Sequence, residues 1–126
     1  MRAAYWHSIG KFASTLRGLH VCVMGVACKR DIDDLRESPA LDILELLARR
    51  GACVSYTDPY VPTLRHGKLL LSSVPEAEAL ASKPDCVVIA TDHKVFDYAA
   101  IVRDAQLVVD TRNALKGRGG VHIRQL

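Results

Sequence analysis

The chain has 126 residues, of which 49% are hydrophobic and 25% charged, and its formal net charge is +3. That length suits one domain with a real core, and the apolar content excludes a disordered polymer. A membrane span would need about 18 consecutive apolar residues, which are absent, and so mild a charge does not argue for nucleic acid.

At the N-terminus, Tyr5, Trp6, Ile9, Phe12 and Leu16 have amphipathic spacing, so residues 1–18 are expected to form a helical segment closed by Arg17-Gly18. Met1–His7 carries no apolar stretch of signal-peptide length, which makes an intracellular, cytoplasmic protein the expectation. His20-Val-Cys-Val-Met24 then reads as a buried strand. Gly25 to Pro39 follows as a loop with seven charged side chains: Lys29, Arg30, Asp31, Asp33, Asp34, Arg36 and Glu37.

Pro39–Arg50 has Leu41, Leu44, Leu47 and Ala48 at helical spacing, widened by Ile43 and Leu46. Ser38 suits its N-cap, Pro39 its first turn and Gly51 the position after its end. Ala52–Thr57 is a second strand, stopped by Asp58-Pro59-Tyr60. Lys68–Ser72 fits either a short strand or an ordered loop. Val74–Ala81 reads as a short helix, Cys86–Ala90 as a third strand, Asp97–Asp104 as another helix and Gln106–Asp110 as a fourth strand. The tail from Asn113 to Leu126, with Gly117, Gly119 and Gly120, is loop-like, with Val121–Arg124 a candidate edge strand.

Continuous apolar strands alternating with helices imply βαβ units. The fold expected is a three-layer, Rossmann-like α/β domain with a mostly parallel sheet. In such sheets ligands bind in loops at the carboxyl ends of the strands. The charged loop after Gly25, Thr91-Asp-His-Lys94 and Asp110-Thr-Arg-Asn113 all stand there. No Gly-x-Gly-x-x-Gly follows Gly25, so the pyrophosphate cradle of a dinucleotide site is not expected in this chain.

Spacing alone gives each of these motifs a plain reading. The charge run is a solvated loop, Asp58-Pro59 a turn and Thr91–Lys94 a helix-capping loop. Lys29, Arg30, Arg36 and Arg112 are nevertheless suited to phosphate oxygens, Asp58 to a ribose, and Asp92 and His93 to acid–base work. Cys22, Cys53 and Cys86 sit in apolar strand patterns as small hydrophobes, and neither the cysteines nor the scattered histidines have metal-ligand spacing.

The residues Gly25-Val-Ala-Cys-Lys-Arg-Asp-Ile-Asp-Asp-Leu-Arg-Glu-Ser-Pro-Ala-Leu41 carry a resemblance. So do Gly51-Ala-Cys-Val-Ser-Tyr-Thr-Asp-Pro-Tyr-Val-Pro62, Val88-Ile-Ala-Thr-Asp-His93 with Phe96-Asp-Tyr98, and Val108-Val-Asp-Thr-Arg-Asn-Ala114. Together, and in this order, they resemble the C-terminal, UDP-binding domain of the UDP-glucose/GDP-mannose dehydrogenase family. The branch acting on UDP-N-acetylated hexosamines is the most similar. The resemblance covers the chain from Leu19 onward, so residues 19–126 are assigned to that domain.

The resemblance implies an enzyme that oxidises the C6 alcohol of a nucleotide sugar to a carboxylate in two steps, using NAD. In that family an N-terminal domain binds NAD, and the catalytic cysteine sits in a Gly-rich loop; both are outside the region resembled. It further implies that Cys28, Lys29 and Arg112 contact the UDP-sugar and that Arg36 reaches the NAD. No catalytic and no metal-binding residue is expected here, and the chain by itself should be inactive. Two departures stand out: Cys28 replaces a usually aromatic residue, and Arg30 an often-proline position. They leave open a second reading, a non-catalytic nucleotide-binding or oligomerisation module. A face normally turned to the other domain would also give a route to a homodimer.

Overall fold

The computed structural model describes residues 16–27, 38–118 and 120–125. The helix expected over residues 1–18 therefore lies, apart from its last three residues, outside the described residues. Its expected end is a turn in which Gly18 adopts φ +82°.

Five strands form one sheet. They are β1 (His20–Met24), β2 (Cys53–Thr57), β5 (Cys86–Ile89), β6 (Val108–Asp110) and β7 (Ile123–Gln125). Their order is β2-β1-β5-β6-β7 and every pairing is parallel. Strand order thus reverses between β1 and β5: the chain moves outward from β1 to β2, then returns to start β5 on β1's other side. The candidate edge strand expected at Val121–Arg124 is β7, shifted by a residue or two, with Ile123 opposite Val108. Arg124 Nη1 donates to the carbonyls of Val121 (2.6 Å) and Ile123 (3.2 Å).

The strands read as uninterrupted apolar runs because both faces of the sheet are covered. Alternate residues feed two separate cores. Val21, Val23, Val88 and Val109 pack with Tyr56 and with Ile43, Leu44 and Leu47 of helix α1 (Pro39–Arg49). Cys22, Met24, Val87, Ile89 and Val108 pack with Leu80 of α2 (Glu76–Ala81) and Ile101 of α3 (Tyr98–Asp104), closed by Leu115. This is the expected three-layer α/β arrangement. Burial of each large aliphatic side chain stabilises it by roughly 1.5–3 kcal/mol relative to exposure.

Helix α1 ends as its sequence requires. Gly51 takes φ +93°, its N–H donates to Ala48 O (3.1 Å), and Ala52 N–H reaches back to Leu47 O (3.1 Å). Those two bonds make a Schellman motif, which a side chain bearing Cβ would strain. At its start, Ser38 occupies the N-cap with extended backbone, but its hydroxyl makes no cap bond to the helix. At α3, Asp97 is the cap, and its Oδ1 accepts from Ala100 N–H (3.1 Å).

The segment at Lys68–Ser72 resolves as β4 (Leu69–Ser72), paired antiparallel with a strand absent from the expectation, β3 (Thr63–His66). Gly67, φ +59°, opens the two-residue turn between them, as a type II′ turn requires. The hairpin rests on α1, where His66 Nε2 lies 3.1 Å from Glu45 Oε2 and 3.7 Å from Asp42 Oδ1.

The cysteine expectation needs one correction. Cys22 is fully buried and Cys86 half-buried, but Cys53 is exposed, because β2 is an edge strand and Cys53 is its first residue. Burial raises the Cys22 thiol, and burial with Asp85 and Cys22 nearby pushes Cys86 up to about 12. In a native thiol titration near pH 8, Cys53 should label well before Cys22 and Cys86. Peptide mapping of the labelled chain checks the order.

Candidate functional site

The loops leaving β1, β2, β5 and β6 meet at the carboxyl edge of the sheet, and the β1/β5 reversal opens a crevice there. Gly25 begins this edge. Its N–H donates to Thr57 O (2.8 Å), and its φ is +82°. A Cβ at this position would sit 2.6 Å from both Cβ and O of Thr91. Glycine is thus required twice, by its backbone conformation and by the loop pressed against it. Thr91 Oγ1 in turn donates to Ala27 O.

Asp58, directly after β2, has no exposed surface. Its Oδ2 accepts from Val26 N–H (2.8 Å), Ala27 N–H (3.2 Å) and His93 Nε2 (2.9 Å), while its Oδ1 accepts from Tyr60 N–H (2.9 Å). His93 is equally buried, between the rings of Tyr60 and Phe96 at centroid distances of 4.8 and 5.5 Å. Both side chains are buried and hydrogen-bonded within the loops, not presented to solvent, which replaces the ribose reading of Asp58 and the acid–base reading of His93. Asp58 is more than a strand-ending turn, because it ties the β1, β2 and β5 loops together. Burial alone would raise its carboxyl. The hydrogen bonds from His93, Val26 and Tyr60, with the attraction of His93, outweigh that and hold it below the usual carboxylate range.

The β6 loop repeats the device. Buried Asp110 accepts from Arg112 N–H (3.0 Å) and Ala114 N–H (3.1 Å) at Oδ1, and from Leu115 N–H (2.9 Å) at Oδ2. Thr111 Oγ1 donates to Ile89 O (2.7 Å). Arg112 stays exposed, yet its Nε donates to Ala90 O (3.0 Å), which holds the guanidinium stem across the end of β5. Arg112 is therefore held by its Nε over the end of β5, the strand beside the switch point. A separate groove of about 860 Å³ lies between α2 and α3, lined by Glu76, Lys83, Asp97 and Arg103 among others.

Of the residues expected to touch ligand, Arg112 stands at this edge. Cys28, Lys29 and Arg36 fall in residues 28–37, outside the described residues, while Ala27 and Ser38 on either side are described and buried. Ser38 Oγ donates to Val26 O (2.5 Å), so the two ends of that stretch are joined at the crevice. The tethers Asp58, Asp110, Ser38 and Thr91 escaped the sequence reading as such. Two of them carry a signal, an acidic residue at the end of an apolar run: Asp58 just after β2 and Asp110 as the last residue of β6.

Residues 22–117 match the model of the UDP-glucose/GDP-mannose dehydrogenase family, UDP binding domain. The chain belongs to this family. It is 32% identical over 117 residues to a putative UDP-glucose 6-dehydrogenase of Bacillus subtilis (strain 168), covering 89% of this chain and 27% of that protein. It is 31% identical over 104 residues to a UDP-N-acetyl-D-mannosamine dehydrogenase of Methanococcus maripaludis, covering 76% of this chain and 23% of that one. The structure of UDP-D-ManNAc dehydrogenase from Pyrococcus horikoshii superimposes with a TM-score of 0.66 at 28% identity, over 96% of this chain and 28% of that chain. The chain thus spans about a quarter of the length of the relatives it matches.

For this member of the dehydrogenase family, the site geometry makes two predictions. Gly25→Ala should destabilise by more than the ~1–2 kcal/mol of left-handed backbone strain, because the methyl also displaces Thr91; urea unfolding measures it. Asp58, with its folded-state value lowered, contributes stability that is complete above the unfolded carboxylate value of about 3.9. That contribution is lost as pH falls through the lower folded value. Thermal midpoints taken between pH 7 and pH 2 should show a smaller acid-dependent loss in Asp58→Asn than in the unmodified chain.

Proposed function

We propose that this chain is the nucleotide-sugar-binding part of an NAD-dependent nucleotide-sugar 6-dehydrogenase, a cytoplasmic enzyme of polysaccharide precursor synthesis. The observation that carries the reading is Arg112 held over the end of β5, beside the β1/β5 switch point of a domain matching the family's UDP-binding model. In this reading Cys28, Lys29 and Arg112 contact the anionic UDP-sugar and Arg36 reaches the NAD. Lys29 acts as a mobile point charge, and Arg112 as a donor fork already anchored through its Nε.

The turn after β1 does not fit an NAD pyrophosphate. The space a dinucleotide would need against Gly25 is filled by Thr91. The cofactor is therefore assigned to an N-terminal dehydrogenase domain, whose chemistry is hydride removal from the sugar C6 in two oxidations. This chain's share is to bind and orient the nucleotide. A non-catalytic binding or oligomerisation module is the alternative, favoured by Cys28 and Arg30 at positions where the family usually has other residues.

Calorimetric titration of UDP into the chain tests the proposal. Binding is expected, with Lys29→Ala and Arg112→Ala each weakening it by about tenfold or more, the scale of one hydrogen bond to a charged group. No heat at millimolar UDP, with both variants indistinguishable from the parent, would falsify it. UDP binding without any restoration of activity by a co-expressed N-terminal domain would favour the non-catalytic module.

A further inference from the structure

At Val26 and Ala27 both the N–H and the C=O groups of successive residues are satisfied by side chains. Sheet bonding stops with Met24 and Gly25: Ala90 N–H reaches Met24 O (2.9 Å), and Gly25 N–H reaches Thr57 O (2.8 Å). Beyond that point, both residues remain fully buried, so their peptide groups must still find partners. All four groups are taken up by side chains, three in number. Asp58 Oδ2 takes the N–H of Val26 and of Ala27, Ser38 Oγ gives its proton to Val26 O, and Thr91 Oγ1 gives its proton to Ala27 O.

The peptide joining Val26 to Ala27 is therefore gripped at both ends. Its N–H is held by the loop after β2 and its C=O by the residue that starts α1. The chemistry of Asp58 suits this grip. Four donors converge on it, and an ionised carboxylate is purely an acceptor, whereas an asparagine would turn an NH₂ toward donors. The Ser38 hydroxyl is spent on Val26 O rather than on a free N–H of its own helix, so it too serves the crevice in preference to the cap.

We infer that Asp58 and Ser38 are positioning residues of the nucleotide site, which without touching ligand fix the Val26–Ala27 peptide from which residues 28–37 depart. The inference rests on the nucleotide-binding reading for its consequence, not for its geometry. Loosening this peptide adds to the ordering cost that binding must meet, so affinity falls.

The test uses the 126-residue chain, Asp58→Asn, Ser38→Ala and, as a control, Ile101→Val, which thins the core on the α3 side. Two readouts are taken well below each unfolding midpoint: amide hydrogen exchange at Ala27 relative to Val23 in the sheet, and UDP affinity by calorimetry. Expected are exchange at Ala27 about tenfold faster in Asp58→Asn and faster also in Ser38→Ala, with UDP affinity reduced by about tenfold and several-fold. The control should leave both readouts unchanged.

Unchanged Ala27 exchange in both variants overturns the inference. So does a fall in UDP affinity in the control equal to that in Asp58→Asn, since general destabilisation would then account for it. If Asp58→Asn does not fold, Ser38→Ala decides alone, because its hydroxyl acts on the same peptide. If the parent chain shows no UDP binding, the nucleotide reading fails, and the exchange comparison still decides the positioning role.

Discussion

The carboxyl edge depends on one buried carboxylate having enough donors. An ionised group without exposed surface is costly unless hydrogen bonds replace the water it has lost. Asp58 meets that condition with three backbone N–H groups and one imidazole, and each donor comes from a segment that must then stay where it is. His93 in turn needs its aromatic neighbours, and Tyr98 closes the arrangement by donating to His93 O (2.6 Å). The loops after β1, β2 and β5 thus form one polar unit at the end of an apolar sheet.

That unit is possible because the sheet beneath it is covered on both sides. Side-chain alternation along β1 sends Val21 and Val23 to one core and Cys22 and Met24 to the other, so a slip of one residue would exchange the two sets. Register in β1 is therefore fixed by packing, and with it the point at which the strand gives way to Gly25. Asp110 performs at β6 what Asp58 does at β2. In both cases the strand delivers an acidic residue to the place where backbone N–H groups would otherwise be buried without partners.

What could be read in the sequence follows from the same physics. The strands and α1 were legible because burial on two faces, or along one stripe, leaves a pattern in residue type. The β3–β4 hairpin was half-legible: it buries Leu64 but leaves Leu70 66% exposed, and Thr63-Leu-Arg-His offers too little contrast. Polar residues were read least well, since an Asp or His looks the same in sequence whether it points to solvent or into a packed loop. Ser38 shows the limit in one atom, being rightly placed as the cap while its hydroxyl bonds elsewhere. Arg112 gained weight only through the family resemblance, because a single loop arginine carries no pattern.

The far side of the sheet has its own consequence. An open sheet ends in unpaired carbonyls, which invite a strand from another molecule. At β7, Arg124 folds its guanidinium onto the carbonyls of Val121 and Ile123. A stray strand adding there would have to displace a charged group already satisfied and bury it. The arginine thus occupies two acceptors, those of Val121 and Ile123, that a strand added at this margin would compete for.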